Sequence, residues 1–405
     1  MLRRCASFLF KPDGLARERG RRVGSPSALR KLNDRVALYA LLESGPLSRH
    51  ELESAASVSR PAAAELLRRL EESGLARRAG HRPGGPGPQA QLWTINERAA
   101  FAAGVDVSDT GLDAVISDLG GTPLGEAKTT VEPGEDPVHA VKRLLTATAR
   151  RAGIRRSEIR QVAVGISGSV DPESGTLSHA EHIAEWTGFD VAARLSETLG
   201  VPVTVENDVK LVLSDEARRG RAVGCDEVLL LWMGHGISIA AITGGRLQRG
   251  FHGSAGEMTF VRVGPDGPFA GRLLATEGVL ELARSHGLWA SDPVELLESA
   301  RGAENRAEAI GGFLTAFAGR IVDVLAPPVA LIDPELVILG GEIGVAGGAD
   351  LAELVRNRLH ELLALRPRVV AGTGHANAVR QGALDDALER LRQAVFDNAR
   401  DIRAS

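Results

Sequence analysis

The side chains with the plainest chemistry stand between positions 59 and 82. Ser59, Arg60, Glu65, Arg68 and Arg69 fall on one predicted helix, and Arg77, Arg78, His81 and Arg82 follow shortly after it. An arginine either reads a guanine edge through two parallel hydrogen bonds or holds a phosphate. The spacing leaves both roles open. What it requires is a scaffold that presents a short helix and a basic ribbon side by side.

The flanking residues supply that scaffold. Asn33 caps a predicted helix over 35–43, with Val36, Leu38, Leu41 and Leu42 on its apolar side and Gly45-Pro46 as a stop. Ser48 followed by Glu51 is the capping-box pattern for a second helix over 49–55. After a tight link, Ser59 caps a third helix, where Pro61 is tolerated because early helical amides need no intrahelical partner. Leu66, Leu67 and Leu70 form its core stripe, and Gly74 closes it. Residues 75–78 and 92–95 read as two strands around the Gly/Pro-rich tip AGHRPGGPGPQAQ. Three short helices and a basic wing predict a winged helix-turn-helix over 32–97, with Ser59, Arg60, Glu65, Arg68, Arg77, Arg78, His81 and Arg82 toward DNA. A three-helix interaction module is the alternative; the basic wing and the basic arm before it favour DNA.

The whole chain narrows the setting. Its 405 residues are 43% hydrophobic and 25% charged, the profile of a folded protein of two or three domains. The formal net charge of −4 excludes a uniformly basic nucleic-acid coat, so any DNA contact is a local patch. Cys5 and Cys225 make neither a disulfide framework nor a four-ligand metal site, and a reducing cytoplasm fits best. No run reads as a membrane span, so no membrane partner is expected. Residues 1–31, rich in Arg and Lys, read as a disordered basic extension rather than a signal peptide. The last stretch, 389–405, reads as a frayed polar tail.

From Phe101 the pattern changes to apolar strands alternating with helices, which indicates α/β layers. Strands are expected at 102–107, 114–119, 159–165, 201–205, 227–233, 237–242 and 336–341. Helices are expected at 138–152 and 209–218, with late helices at 307–325 and 351–363 offering apolar faces for packing between subunits or lobes. Glycine loops at Gly120-Gly121, Gly234-His235-Gly236 and Gly340-Gly341 suggest two similar halves. An isolated Asn207-Asp208 after a strand is, by itself, a turn or a helix cap.

The stretches SRHELESAASVSRPAAAELLRRLEESGLARR, VAVGISGSVDPESG, PVTVENDVK, ITGGRLQRGFHGSAGE and LVILGGEI, in this order over about 33–388, resemble the ROK family (repressors, open reading frames, kinases). The regulator branch of that family carries an N-terminal winged helix-turn-helix. The resemblance implies a two-lobed actin-like, sugar-kinase-like (ribonuclease H-like) ATPase fold behind the head, with a first lobe over 98–206 and a second over 207–388. It implies that Asn207 and Asp208 bind sugar hydroxyls, Asp208 being the catalytic base in family kinases. Glu257 and Glu277 match the family's sugar-binding glutamates, Glu277 less firmly.

The departures from the pattern carry as much information. The family's structural zinc needs one His and three Cys; the matching positions here are Phe260, Pro268, Ala270 and Ala275, so no metal is expected. Phe260 either stacks on a ligand or, as the preferred reading, fills the space left by the metal. The phosphate motif D-x-G-G-T is Asp106-Val107-Ser108-Asp109-Thr110, which loses both glycines and adds a carboxylate where triphosphate would lie. The second loop, G-T-G in the family, is Gly234-His235-Gly236. A retained sugar pocket with damaged phosphate loops implies a transcriptional regulator, a repressor by default, whose body binds a monosaccharide or derivative without turnover and without a cofactor. The expected partners are an inverted-repeat DNA operator, the sugar effector, and a second or further copies as homodimer or homotetramer. Two alternatives stay open: an active or bifunctional sugar kinase using Asp208, and a ligand-independent regulator whose cleft is filled by side chains such as Phe260 or Trp186.

Overall fold

The computed structural model describes residues 26–82, 89–171, 173–178, 180–301 and 308–397. α1 (Pro26–Ser44) starts well before the predicted residue 35. No helix breaker stands between Ser27 and Ser44, and proline is at home in a first turn. The last residues of the supposed extension are therefore helical, while 1–25 lie outside the described residues. β1 (Leu47–Ser48), not anticipated, leads into α2 (Arg49–Ala55). The capping box there is complete: Ser48 N donates to Glu51 Oε2 at 2.8 Å and Glu51 N to Ser48 Oγ at 3.4 Å. α3 (Arg60–Glu72) follows Ser59, which holds the N-cap position without a side-chain capping bond. Ala63, Leu66, Leu67 and Leu70 are its buried stripe. β2 (Ala76–His81) and β3 (Gln91–Ile95) pair antiparallel, and β3 also pairs with β1. Of the expected wing tip, 83–88 lie outside the described residues.

β4 (Phe101–Ser108), β5 (Gly111–Asp118) and the unanticipated β6 (Pro123–Thr129) form an antiparallel meander. α4 (Pro137–Arg151) is capped by Asp136, which accepts from Val138 N at 2.9 Å. β7 (Ile159–Ile166) is almost wholly buried, the signature of a strand covered on both faces. A small ribbon, β8 (Ser169–Val170) and β9 (Leu177–Ser178), comes next, then α5 (Val191–Leu199) and β10 (Val203–Asn207). The sheet order is β10-β7-β4-β5-β6.

α6 (Asp208–Arg219) opens the second α/β layer. β11 (Val228–Met233), β12 (Ile237–Thr243) and β13 (Arg246–Leu247) form another antiparallel meander. After α7 (Ala270–Leu274), α8 (Thr276–Ser285), α9 (Pro293–Ser299) and α10 (Glu308–Ile332), β14 (Leu336–Gly340) pairs parallel to β11. α11 (Gly341–Leu362) is broken at Gly348, where φ is +62°. β15 (Arg368–Ala371) and α12 (Ala378–Asp397) complete the chain. This sheet, β13-β12-β11-β14-β15, repeats the connection order of the first, so the expected pair of similar halves is present. The fold is the α/β, actin-like sugar-kinase type.

By internal packing the chain divides into two units. One holds Ile166–Val191 and Glu206–Gly382; the other holds the head, the first sheet, Ala192–Val205 and α12 from Ala383. In the first, α10 is long and apolar enough to cross a membrane, contrary to the sequence reading. Phe313, Phe317, Ile321, Leu325 and Val329 bury its stripe in the core with Leu229, Leu231, Val337 and Leu339 of the sheet, which accounts for its composition. In the second unit, the supposed tail from 389 is helical through Asp397 because Phe396 is completely buried. The Tyr39 ring of α1 meets Phe396 edge-on at 5.1 Å between centroids, and Arg35 pairs with Asp397 at 3.6 Å. Burial, and then the Glu389 carboxylate, push the Tyr39 hydroxyl up to about 12.

Phe396→Ala removes this anchor of α1 on α12. It is expected to lower the unfolding free energy by about 3–5 kcal/mol, read from urea denaturation, and to speed hydrogen exchange in α1. A loss below about 1 kcal/mol contradicts the anchor.

Candidate functional site

β10 ends in Asn207, and the chain turns there into α6. Asn207 is the N-cap: its Oδ1 accepts from Lys210 N at 3.1 Å, while its Nδ2 donates to Gly168 O at 3.0 Å. Asparagine suits a cap because its short polar side chain satisfies an orphan amide of the first turn. Asp208 is thereby placed as the first helical residue, partly exposed, with Val209 N donating to its Oδ1 at 2.8 Å. The Ser167 hydroxyl is a second hydrogen-bond partner. Burial is the main influence on Asp208 and outweighs these bonds. With Glu257 also nearby, it raises the carboxyl from 3.8 to about 6.

Glu257 comes from the loop after β13. Ser169 Oγ donates to its Oε1 at 3.1 Å. Gly256 makes that approach feasible: its φ is +94°, and a Cβ there would stand 1.7 Å from Ile239 O. Asn207, Asp208 and Glu257 are thus gathered with Ser167 and Ser169, which the sequence reading quoted in GISGSV without assigning a role. This set of carboxylates, amide and hydroxyls is suited to the vicinal hydroxyls of a sugar. Two further residues were missed. Lys210, 2% exposed, donates to Gly253 O at 2.5 Å and Arg249 O at 3.4 Å. Glu206 pairs with Arg249 at 2.5 Å. Burial lowers the Lys210 pKa.

Glu277 is not brought in by any hydrogen bond. It lies exposed in the first turn of α8, and none joins it to Asn207, Asp208 or Glu257 among the described residues. Phe260 corrects the core-filling expectation: it is 60% exposed, with Phe269 edge-on at 6.2 Å. The segment at the four zinc positions closes on itself instead. Gly271 N bonds Thr259 O, Ala270 N bonds Val261 O and Val263 N bonds Pro268 O, at 2.8–3.0 Å. The Arg262 guanidinium lies 4.5 Å from the Phe269 ring centroid. Phe260, Pro268, Ala270 and Ala275 offer no metal donor, so the family's zinc does not fit. Trp186 is 1% exposed, as a core residue is.

The segments at the family's phosphate-loop positions differ from open glycine loops as well. Asp109-Thr110 is the tight turn between β4 and β5; Ser108 Oγ meets Thr110 Oγ1 at 2.9 Å and Gly111 O at 3.2 Å. Side-chain hydroxyls and an exposed carboxylate stand where glycine amides would cradle phosphate. In the other unit, the Glu342 Oε2 lies so near Gly234 that a Cβ there would be 2.5 Å from it. Both loops present carboxylate rather than open backbone.

In the head, Arg60, Arg77 and His81 are exposed and have no ion pair among the described residues. Arg68 lies between Glu65 at 2.6 Å and Glu72 at 2.5 Å, which raises its pKa further. Arg78 pairs with Glu71 at 2.9 Å and Arg82 with Glu51 at 2.9 Å. Solvent screens exposed pairs of this kind, so they contribute little and a phosphate can displace the carboxylate. Arg69 belongs to the head's interior: its guanidinium holds Asp34 of α1, with Nε to Oδ2 at 3.3 Å.

The profile of the ROK family matches residues 102–385. The chain belongs to the ROK family. It is 32% identical over 229 residues to the bifunctional enzyme NanE/NanK of Brucella melitensis, covering 56% of this chain and 43% of that protein. The chain therefore spans less than half the length of this relative. It is 22% identical over 340 residues to the DNA-binding transcriptional dual regulator NagC of Escherichia coli, covering 79% of this chain and 83% of the regulator. Among solved structures, a ROK family transcriptional regulator described as a homolog of the E. coli MLC protein shares the fold with a TM-score of 0.70. It is 16% identical and covers 92% of this chain and 98% of its own.

Two outcomes are expected from this geometry. The raised Asp208 pKa means that folding favours its protonated form, so the stability it contributes is present below about pH 4 and lost as pH rises through about 6. Asp208→Asn is therefore expected to match wild type in denaturant near pH 4 and to exceed it at pH 7.5; equal stability at both contradicts the shift. Gly256→Ala is expected to displace the Glu257 loop and lower the thermal midpoint, since its Cβ would stand 1.7 Å from Ile239 O; an unchanged midpoint contradicts the close approach.

Proposed function

We propose that this chain is a ligand-responsive transcriptional regulator that acts by default as a repressor. Its head, a winged helix-turn-helix, reads an inverted-repeat operator as part of a homodimer or homotetramer. The observation that carries this reading is coverage. The likenesses to NagC and to the solved regulator extend over more of the chain than residues 102–385, whereas the NanE/NanK likeness is confined to 56% of it. Before residue 102, α3 and the β2–β3 wing carry Ser59, Arg60, Glu65, Arg68, Arg77, Arg78, His81 and Arg82.

In this reading the effector is a monosaccharide or a derivative, held by Asn207, Asp208 and Glu257. It alters operator affinity by binding two conformations unequally. An ATP-dependent sugar kinase is the second reading, and the pKa of about 6 at Asp208 favours it, since a general base works best near the ambient pH. Asp109 and Glu342 weigh against it.

The deciding experiment is a mobility-shift titration of the full chain on DNA selected from its own genome, with glucose, xylose and N-acetylglucosamine added in turn. One sugar is expected to change the operator affinity at least about tenfold, a 1.4 kcal/mol effect. Asp208→Asn is expected to bind operator normally and ignore the sugar. Arg60→Ala is expected to weaken operator binding by about 1–3 kcal/mol. Absence of any selected sequence overturns the regulator reading, and ATP turnover that disappears in Asp208→Asn establishes the kinase.

A further inference from the structure

Beside Asp208 stands a turn, 249–253, that is built more firmly than its exposure requires. Lys210 reaches from α6 to the carbonyls at both of its ends, Arg249 and Gly253. Arg249 is held again by Glu206. Gly250 and Gly253 take left-handed φ of +77° and +72°, and at Gly250 a Cβ would meet the Ala255 Cβ at 2.8 Å. Glu206 and Lys210, which clamp the turn, flank Asn207-Asp208 in the chain.

What this clamped turn displays is aromatic. Phe251 is 88% exposed, and His252, also exposed, meets its ring edge-on with centroids 4.8 Å apart. A phenylalanine gains by burial, and a loop with no function for the ring would fold it away or leave it unclamped. Here the Lys210 ammonium fixes the backbone on either side of it, two residues along the chain from Asp208. His252 also acts electrostatically on Asp171, in the loop that follows Ser169. The imidazole beside the ring is therefore within electrostatic reach of a carboxylate.

We propose that Phe251 and His252 form the platform of a second sugar subsite, so that the preferred ligand is a disaccharide or larger glycoside rather than a free monosaccharide. The first ring occupies the Asp208 site, and the next lays its C–H face on the Phe251 ring while the His252 imidazole and Asp171 meet its hydroxyls. A pyranose face matches a phenyl ring in area. A protein partner would need hundreds of Å² more, and the aromatic pair offers one ring and one imidazole. This inference rests on the reading of Asp208 as a sugar site.

Calorimetry on the full chain tests both, with glucose, xylose and N-acetylglucosamine against cellobiose, xylobiose and N,N′-diacetylchitobiose. One disaccharide is expected to bind about fivefold to tenfold more tightly than its monosaccharide, the scale of one well-formed aromatic contact. Phe251→Ala is expected to remove that increment and leave monosaccharide affinity unchanged, while Phe251→Trp retains it. Because the ring is exposed, the thermal midpoint of Phe251→Ala serves as the folding control. Monosaccharide binding with no disaccharide increment, or an increment that survives in Phe251→Ala, overturns the platform alone. No binding of any of the six sugars overturns the sugar-site reading and the platform with it.

Discussion

The site depends on the side chain of Asn207. It is 5% exposed and uses both ends of its amide at once, accepting from Lys210 N and donating to Gly168 O. Aspartate in its place would have no donor for the carbonyl, and an apolar residue would leave two buried backbone groups unpaired. This one amide starts α6, fixes where Asp208 points from, and ties that start to the loop that carries Ser167 and Ser169. The helix dipole and the Val209 N–H favour the charged form of Asp208. Burial opposes them and prevails, which is why its carboxyl titrates near 6 rather than 3.8.

Charge separates what the two kinds of loop can bind. Sugar hydroxyls donate to carboxylates, so Asp208 and Glu257 are an asset to an uncharged ligand. A phosphate beside either Asp109 or Glu342 would face a like charge instead. The Ser108–Thr110 turn supplies no compensating row of backbone amides.

Features with local causes were legible in the sequence. The Ser48–Glu51 capping box, the α3 stripe of Leu66, Leu67 and Leu70, and the buried strand β7 follow from residues near one another in the chain. Asn207-Asp208 was visible too, though as an ambiguous cap until the surrounding ENDVK resolved it. Lys210 reads as a surface lysine because its acceptors lie 39 and 43 positions away. Ser169 meets Glu257 across 88 positions, and only the β7 and β12 connections bring them together. The same distance effect misled the reading of the C-terminus, where nothing near Phe396 in sequence reveals that Tyr39 covers it. Phe260 failed for a different reason: a lost metal was assumed to leave a cavity, but the segment 259–271 closes with its own backbone bonds.

The division of the chain gives the ligand site a particular place along the backbone. The chain passes from one unit to the other at 165/166 and again at 205/206. Ser167, Gly168 and Ser169 follow the first crossing, and Glu206, Asn207 and Asp208 follow the second. α12 makes a further crossing at 382/383 as one continuous helix, and its far end carries Phe396 against Tyr39 of the head. The head is thus not a tethered appendage. α1 is packed into the same unit as the first sheet, held to α12 by the Tyr39–Phe396 contact and the Arg35–Asp397 pair.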